Sequence, residues 1–243
     1  MTTTILTLDG ANGTLLTAFT PSAGGGFAAL STNTTSAFNA SNRLLWNGPV
    51  SYTVSQYAYT VGVSSADYTV SSTFRWTNSA GPAIADTMCI RARSSNANRQ
   101  GYLMTFDGTQ GQLYRVDSAG TATAIGAAVT YASVGLGASA LDTDYVGSLT
   151  VNGTTLTAKF RGVTLFSYTD STLTAADYAG IGGNSGSSLG SAIQVTDMTI
   201  ETLAGAARSR ILPSNDVNKS QVQMHDSSVA TTIPAFKRVV VRP

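Results

Sequence analysis

"LTVNGTTLTAKFRGVTLFSYTD", residues 149–170, carries the period of a β-sheet and the punctuation between its strands. Asn152-Gly153 is a hairpin signal, because both residue types tolerate the positive φ of a two-residue turn, and Arg161-Gly162 is a weaker one. Between and beyond the turns apolar residues alternate: Leu156, Ala158 and Phe160, then Val163 and Leu165. Successive side chains of a strand point to opposite faces, so this alternation marks one buried face.

The same period recurs along the chain. "YTVSSTFRW" (68–76) puts Val70, Ser72, Phe74 and Trp76 on one face, and "MCIRAR" (88–93) sets Met88, Ile90 and Ala92 against Cys89, Arg91 and Arg93. "YLMTF" (102–106), "QLYRV" (112–116) and "IQVTDMTI" (193–200) behave similarly, with Gly, Asn, Asp or Ser between most of the runs. Many short strands at such spacing predict an all-β sandwich or barrel. No long window has helical periodicity, and "TLTAADYAG" (172–180) has room for one helical turn. The first fifty residues are rich in small polar types, yet Phe19, Phe27, Leu30, Phe38, Leu44 and Trp46 are spread through them. They read as loops and edge strands, since a disordered linker carries fewer large apolar groups.

Of the 243 residues 11% are charged, against about 25% in an average domain. Small polar residues fill the difference, and no run of roughly 18 uncharged apolar residues suggests a membrane span. The net charge of +1 offers no field to draw nucleic acid. The distribution is uneven: residues 204–243 hold six basic and two acidic residues, a net of +4, which leaves the rest of the chain at −3. The single cysteine, Cys89, excludes an intrachain disulfide. "MTTTILTLDG" has no basic region and apolar stretch of the kind a signal peptide needs. Exposed-looking β composition without an export signal fits a protein made in a host cytoplasm and released within a virus particle; a cytoplasmic protein is the alternative.

Catalytic chemistry finds few groups. Glu201 is the single glutamate, and Asp197, four residues before it on the same strand face, is about 13 Å away at 3.3 Å per residue. Glycoside hydrolysis needs carboxyls about 5–9.5 Å apart, so that pair fails. The single histidine, His225, lies in a polar tail, which disfavours a Ser-His-Asp triad and a zinc site. Cys89 reads as a quiet, partly buried thiol. "GIGGNSG" (180–186) has Ser185 where a dinucleotide fingerprint requires glycine, so its glycines are expected to serve a turn. Asp142, Asp144 and Asp170 lack the spacing of a calcium loop and read as solvated. Sugar binding needs an aromatic platform and polar groups, for which Trp46, Tyr57, Tyr59, Arg91, Arg93, Tyr102 and Tyr114 are candidates. Arg75, Arg91, Arg93 and Lys159 otherwise mark a solvent face.

Taken in order, "DYTVSSTFRW", "IRARSSNANRQGYLMTFDGTQGQLYRV", "GSLTVNGTTLTAKFRGVTLFSYTDSTL", "YAGIGG" and "IQVTDMTIETL" resemble the strand succession of concanavalin A-like, laminin-G-like jelly rolls. "DGANGTLLTAFTPSAGGGFAAL" (9–30) resembles the opening of such domains in bacteriophage and bacterial proteins. The resemblance spans about residues 9–203 and implies an antiparallel β-sandwich over 1–203, followed by an extended C-terminal arm over 204–243. It says little about function, because this fold hosts lectins, glycosidases, adhesion modules and virion proteins.

The expectation is a non-enzymatic virion structural protein without cofactor. It would be a bacteriophage capsid decoration or cement protein, or a tail or fibre component, forming a homo-oligomer and meeting the major capsid protein or other virion subunits. Its arm ends in "FKRVVVRP", where Phe236, Val239 and Val241 are candidate anchors for a strand added to another subunit's sheet edge and Lys237, Arg238 and Arg242 can meet acidic neighbours; pairing with its own sandwich is the alternative. The alternative is a carbohydrate-binding, lectin-like module for a surface glycan. Neither reading involves nucleic acid or a membrane.

Overall fold

The computed structural model describes residues 1–30, 36–46, 55–77, 86–174, 178–184 and 193–203. Among them lie sixteen strands. The first half of the chain forms β1 (Thr3–Thr7), β2 (Phe27–Ala29), β3 (Ala37–Phe38), β4 (Leu44–Leu45), β5 (Ser55–Tyr59), β6 (Tyr68–Trp76), β7 (Thr87–Ser94) and β8 (Gly101–Phe106). The second half forms β9 (Gln110–Val116), β10 (Ala122–Ala124), β11 (Val129–Thr130), β12 (Tyr145–Asn152), β13 (Thr155–Phe160), β14 (Val163–Thr169), β15 (Tyr178–Asn184) and β16 (Ile193–Thr202). Two single 3-10 turns, Leu16–Ala18 and Tyr131–Val134, are the remaining regular elements among the described residues, so no described helix is long and apolar enough to cross a membrane.

The strands form two antiparallel sheets. The first runs β14-β13-β12-β6-β16, and beyond β16 lie β4 with β3 and, beside the other half of β16, β1. The second runs β10-β9-β8-β7-β15-β5-β2, with β11 also on β9. The alternation read from the sequence settles which face is inside. On β6 every second residue from Tyr68 to Trp76 is buried, and on β13 Leu156, Ala158 and Phe160 are 0% exposed. Arg161-Gly162 serves as a turn as read, while the turn expected at Asn152-Gly153 lies one residue later, with Asn152 the last residue of β12. Gly153-Thr154 links β12 to β13 with Gly153 at φ 56°, and Arg161-Gly162 links β13 to β14 with φ of 54° and 80°.

Between the sheets, Phe160 stands among Tyr131, Tyr145, Phe106, Phe74 and Trp76, with ring centroids 4.5, 5.5, 5.6, 6.2 and 6.3 Å away. Gly147 on the neighbouring strand leaves room for these rings, since a Cβ there would sit 2.8 Å from Phe106.

One expectation changes. Residues 180–184 of the glycine run belong to strand β15 and not to a turn, and residues 185–186 lie outside the described residues. A Cβ on Gly180 would meet the Tyr57 carbonyl at 2.2 Å, and one on Gly183 would meet the Trp46 ring at 2.5 Å, so Gly180 permits the close approach of the neighbouring strand β5 and Gly183 that of a core ring. The helical turn for which 172–180 has room falls partly on residues 175–177, outside the described residues.

Candidate functional site

On β7 both faces are covered. Met88, Ile90 and Ala92 face the core, while Cys89 and Arg91 point outward and are also 0% exposed. Register gives the outward row Ala58–Gly180–Arg91–Leu103–Tyr114–Ala124 across six strands. The next outward row is Gln56–Gly182–Cys89–Thr105–Gln112. Cys89, Leu103 and Val116 form a small apolar cluster there, with Tyr114 half-buried against it. No outward strand position in these rows is acidic.

Arg91 is the unusual group on this face. Its guanidinium donates to the Gln56 side chain, to Ser94 Oγ at 3.1 Å, and to the carbonyls of Arg99 and Gln100, the latter at 3.1 Å. All four acceptors are neutral. Burial pulls its pKa down to about 10, Cys89 acts in the opposite sense, and Arg99 adds repulsion. A cation held without a carboxylate is costly unless its hydrogen bonds are well made. Here those bonds hold the β7–β8 loop, residues 95–100, back over the sheet.

The loop places Arg99. Its side chain lies over Gly120, whose absent Cβ makes the room, and its Nε donates to the Leu30 carbonyl at 3.3 Å. Its two terminal nitrogens make no hydrogen bond among the described residues. This face therefore presents a half-buried aromatic ring, amide and hydroxyl groups, and a positive charge.

The other aromatic candidates are internal. Trp46 and Tyr57 stack at 5.7 Å and are both 0% exposed. Tyr59 donates to the Gly24 carbonyl at 2.7 Å, and Tyr102 to Asp170 Oδ1 at 2.9 Å. Arg91 and Arg93 do not mark a solvent face, being 0% and 3% exposed. Arg93, at φ 45°, closes one end of the sandwich by donating to the carbonyls of Leu173 at 2.7 Å and Gly153 at 2.6 Å. Sequence period assigns both arginines an outward direction; it does not register that a loop folds over the first and that backbone carbonyls converge on the second.

Elsewhere the acidic groups have structural partners. Asp144 receives Arg75 at 2.7 Å and Arg43 at 3.0 Å, and the Arg75 hydrogen bond leads in lowering its pKa to about 2. Asp170 is met by Arg115 at 2.9 Å. Asp197 caps an irregularity in its own sheet by accepting from the Thr73 N–H at 3.1 Å. No three His, Cys, Asp or Glu residues converge among the described residues. His225 and the arm residues Phe236, Lys237, Arg238, Val239, Val241 and Arg242 lie outside the described residues.

Solved structures share the two-sheet architecture. The Emp47p carbohydrate recognition domain superposes with a TM-score of 0.55 at 9% identity, over 82% of this chain and 95% of that one. The VIP36 exoplasmic/lumenal domain in its Ca2+/Man-bound form gives 0.54 at 10% identity, over 82% and 89%. Alginate lyase A1-II′ gives 0.50 at 14% identity, over 82% and 94%. The fold is a concanavalin-like jelly roll. At these identities the likeness establishes the architecture of the jelly roll and not its ligand. No family model and no curated protein sequence matches the chain. The expectation of a bacteriophage virion protein gains no support from these structures.

Proposed function

We propose that this protein is a non-catalytic carbohydrate-binding module whose glycan lies on the outer face of the second sheet. The observation that carries the reading is the loop 95–100, held to that sheet by buried Arg91, with the Arg99 side chain over Gly120 and the Tyr114 ring half-buried on the outward row that Arg91 shares. A half-buried tyrosine offers a sugar's C–H face a flat apolar partner, and guanidinium, amide and hydroxyl groups supply directional bonds. The surplus positive charge favours a glycan carrying carboxylates over a neutral one. The shared architecture with the Emp47p carbohydrate recognition domain and with the mannose-bound VIP36 domain supports the same reading.

A glycan array with the full-length chain, including uronate-containing and neutral polymers, tests it. Binding is expected to be lost in Arg99→Ala and Tyr114→Ala with little change in melting temperature. Binding unaffected by both substitutions, or no binding to any glycan, would reject the proposal. A virion role through residues 236–242 rests on the sequence alone, and a deletion of residues 205–243 that leaves particle assembly intact would reject it.

A further inference from the structure

Strand β1 carries an edge without the usual protection. Its even-numbered residues bond to β16, as the Thr202 N–H to Thr2 carbonyl and Leu8 N–H to Thr196 carbonyl bonds show, at 2.9 and 2.8 Å. By antiparallel alternation the N–H and C=O groups of Thr3, Ile5 and Thr7 point the other way, where β1 has no partner strand among the described residues. Natural sheets blunt such edges with lysine, proline or a bulge. "TTILT" has none of these, its register with β16 is unbroken, and Ile5 is 58% exposed.

Two features say what fits beside it. On the inner side of the edge is a cleft of about 270 Å³ lined by Thr4, Tyr59, Val61, Val63 and Ile200. On the outer side, Thr3 pairs with Glu201 and Thr7 with Asp197, and neither carboxylate has a cation partner among the described residues.

We infer that β1 receives, by strand addition, the C-terminal segment 236–243 of a second copy of this chain. With Val240 opposite Ile5 in antiparallel register, Arg238 falls opposite Thr7 and Arg242 opposite Thr3. Each arginine is then in line with a carboxylate that has no cation partner among the described residues, Asp197 or Glu201. Val239 and Val241 take the other face, toward the cleft. Strand addition draws affinity from backbone bonds and specificity from alternate side chains, which is the pattern here. The charges of arm and remainder, +4 and −3, are opposed. The span also favours a second copy. Leu203 follows β16 directly and already lies beside the start of β1, so a local return needs only a short loop. Residues 204–235 instead provide roughly thirty positions, far more than a return to β1 of the same chain needs.

Sedimentation equilibrium of the full-length chain across the micromolar range tests this. Species heavier than the 25.0 kDa monomer are expected at high concentration. Ile5→Pro removes only an N–H that faces the open edge, and Ile5→Lys keeps the strand while guarding it; both are expected to restore the monomer. Arg242→Glu is expected to weaken association about tenfold, and Glu201→Arg in the same chain to recover it. A full-length chain that stays monomeric, or association indifferent to both Ile5 substitutions and to the charge exchange, would overturn the inference. Glycan binding by the monomeric variants reports on the outer-face site separately.

Discussion

Replacing Phe160 by alanine removes the ring on which both layers converge. Phe160 is 0% exposed and sits on β13 of the first sheet. It touches Phe106 of the second sheet at 5.6 Å and Tyr131 of the 3-10 turn at 4.5 Å. A phenylalanine side chain buries about 150–200 Å², and at about 25 cal/mol per Å² its transfer alone is worth about 4 kcal/mol. Its neighbours belong to strands fixed by hydrogen bonds, so the cavity closes only in part. Buried Phe→Ala changes of this kind cost about 3–5 kcal/mol. Against a total stability of about 5–15 kcal/mol, that is a large share of the whole. Urea titration followed by tryptophan fluorescence measures it, with Trp76 6.3 Å from the lost ring as a reporter. The midpoint is expected to fall while the slope stays unchanged, because the surface exposed on unfolding hardly alters. A loss below about 1.5 kcal/mol would mean that Phe160 is not the joint between the sheets.

Asp144, with an ordinary value of 3.8, is held at about 2 by Arg75 and then Arg43. The folded value is the lower one, so the ion triplet contributes fully above 3.8 and its contribution is lost as pH falls toward 2. Asp144→Asn is expected to flatten that limb of a melting-temperature profile, and an unchanged limb would count against the triplet. Burial pushes the Cys89 thiol up to about 12, so a thiol reagent near neutral pH is expected to label it only as fast as the protein unfolds. Immediate stoichiometric labelling of the native chain would contradict its burial. Gly180→Ala puts a Cβ 2.2 Å from the Tyr57 carbonyl in a paired strand and is expected to cost about 1–3 kcal/mol by denaturant titration. A neutral outcome would show that β15 and β5 are less closely set.

The two hairpins around Gly153 and Gly162, the buried alternation of β6 and β13, and the sandwich class were legible from period and turn chemistry, because these depend on neighbours in the chain. The glycines at 180–183 were misread as a turn because their reason for being small is a carbonyl and an indole from distant segments. Arg91 was read as solvent-facing because period gives direction and not cover. The same limit applied to the sugar candidates, of which Tyr114 alone combines an outward position with partial exposure. By itself, then, the sequence determined strand period, turn positions and the uneven charge, all local or additive properties. Tertiary structure alone decided which outward residues are covered, which aromatics remain available, and which edge lacks a partner among the described residues. Those depend on contacts between residues far apart in the chain, whose pairing no local pattern encodes.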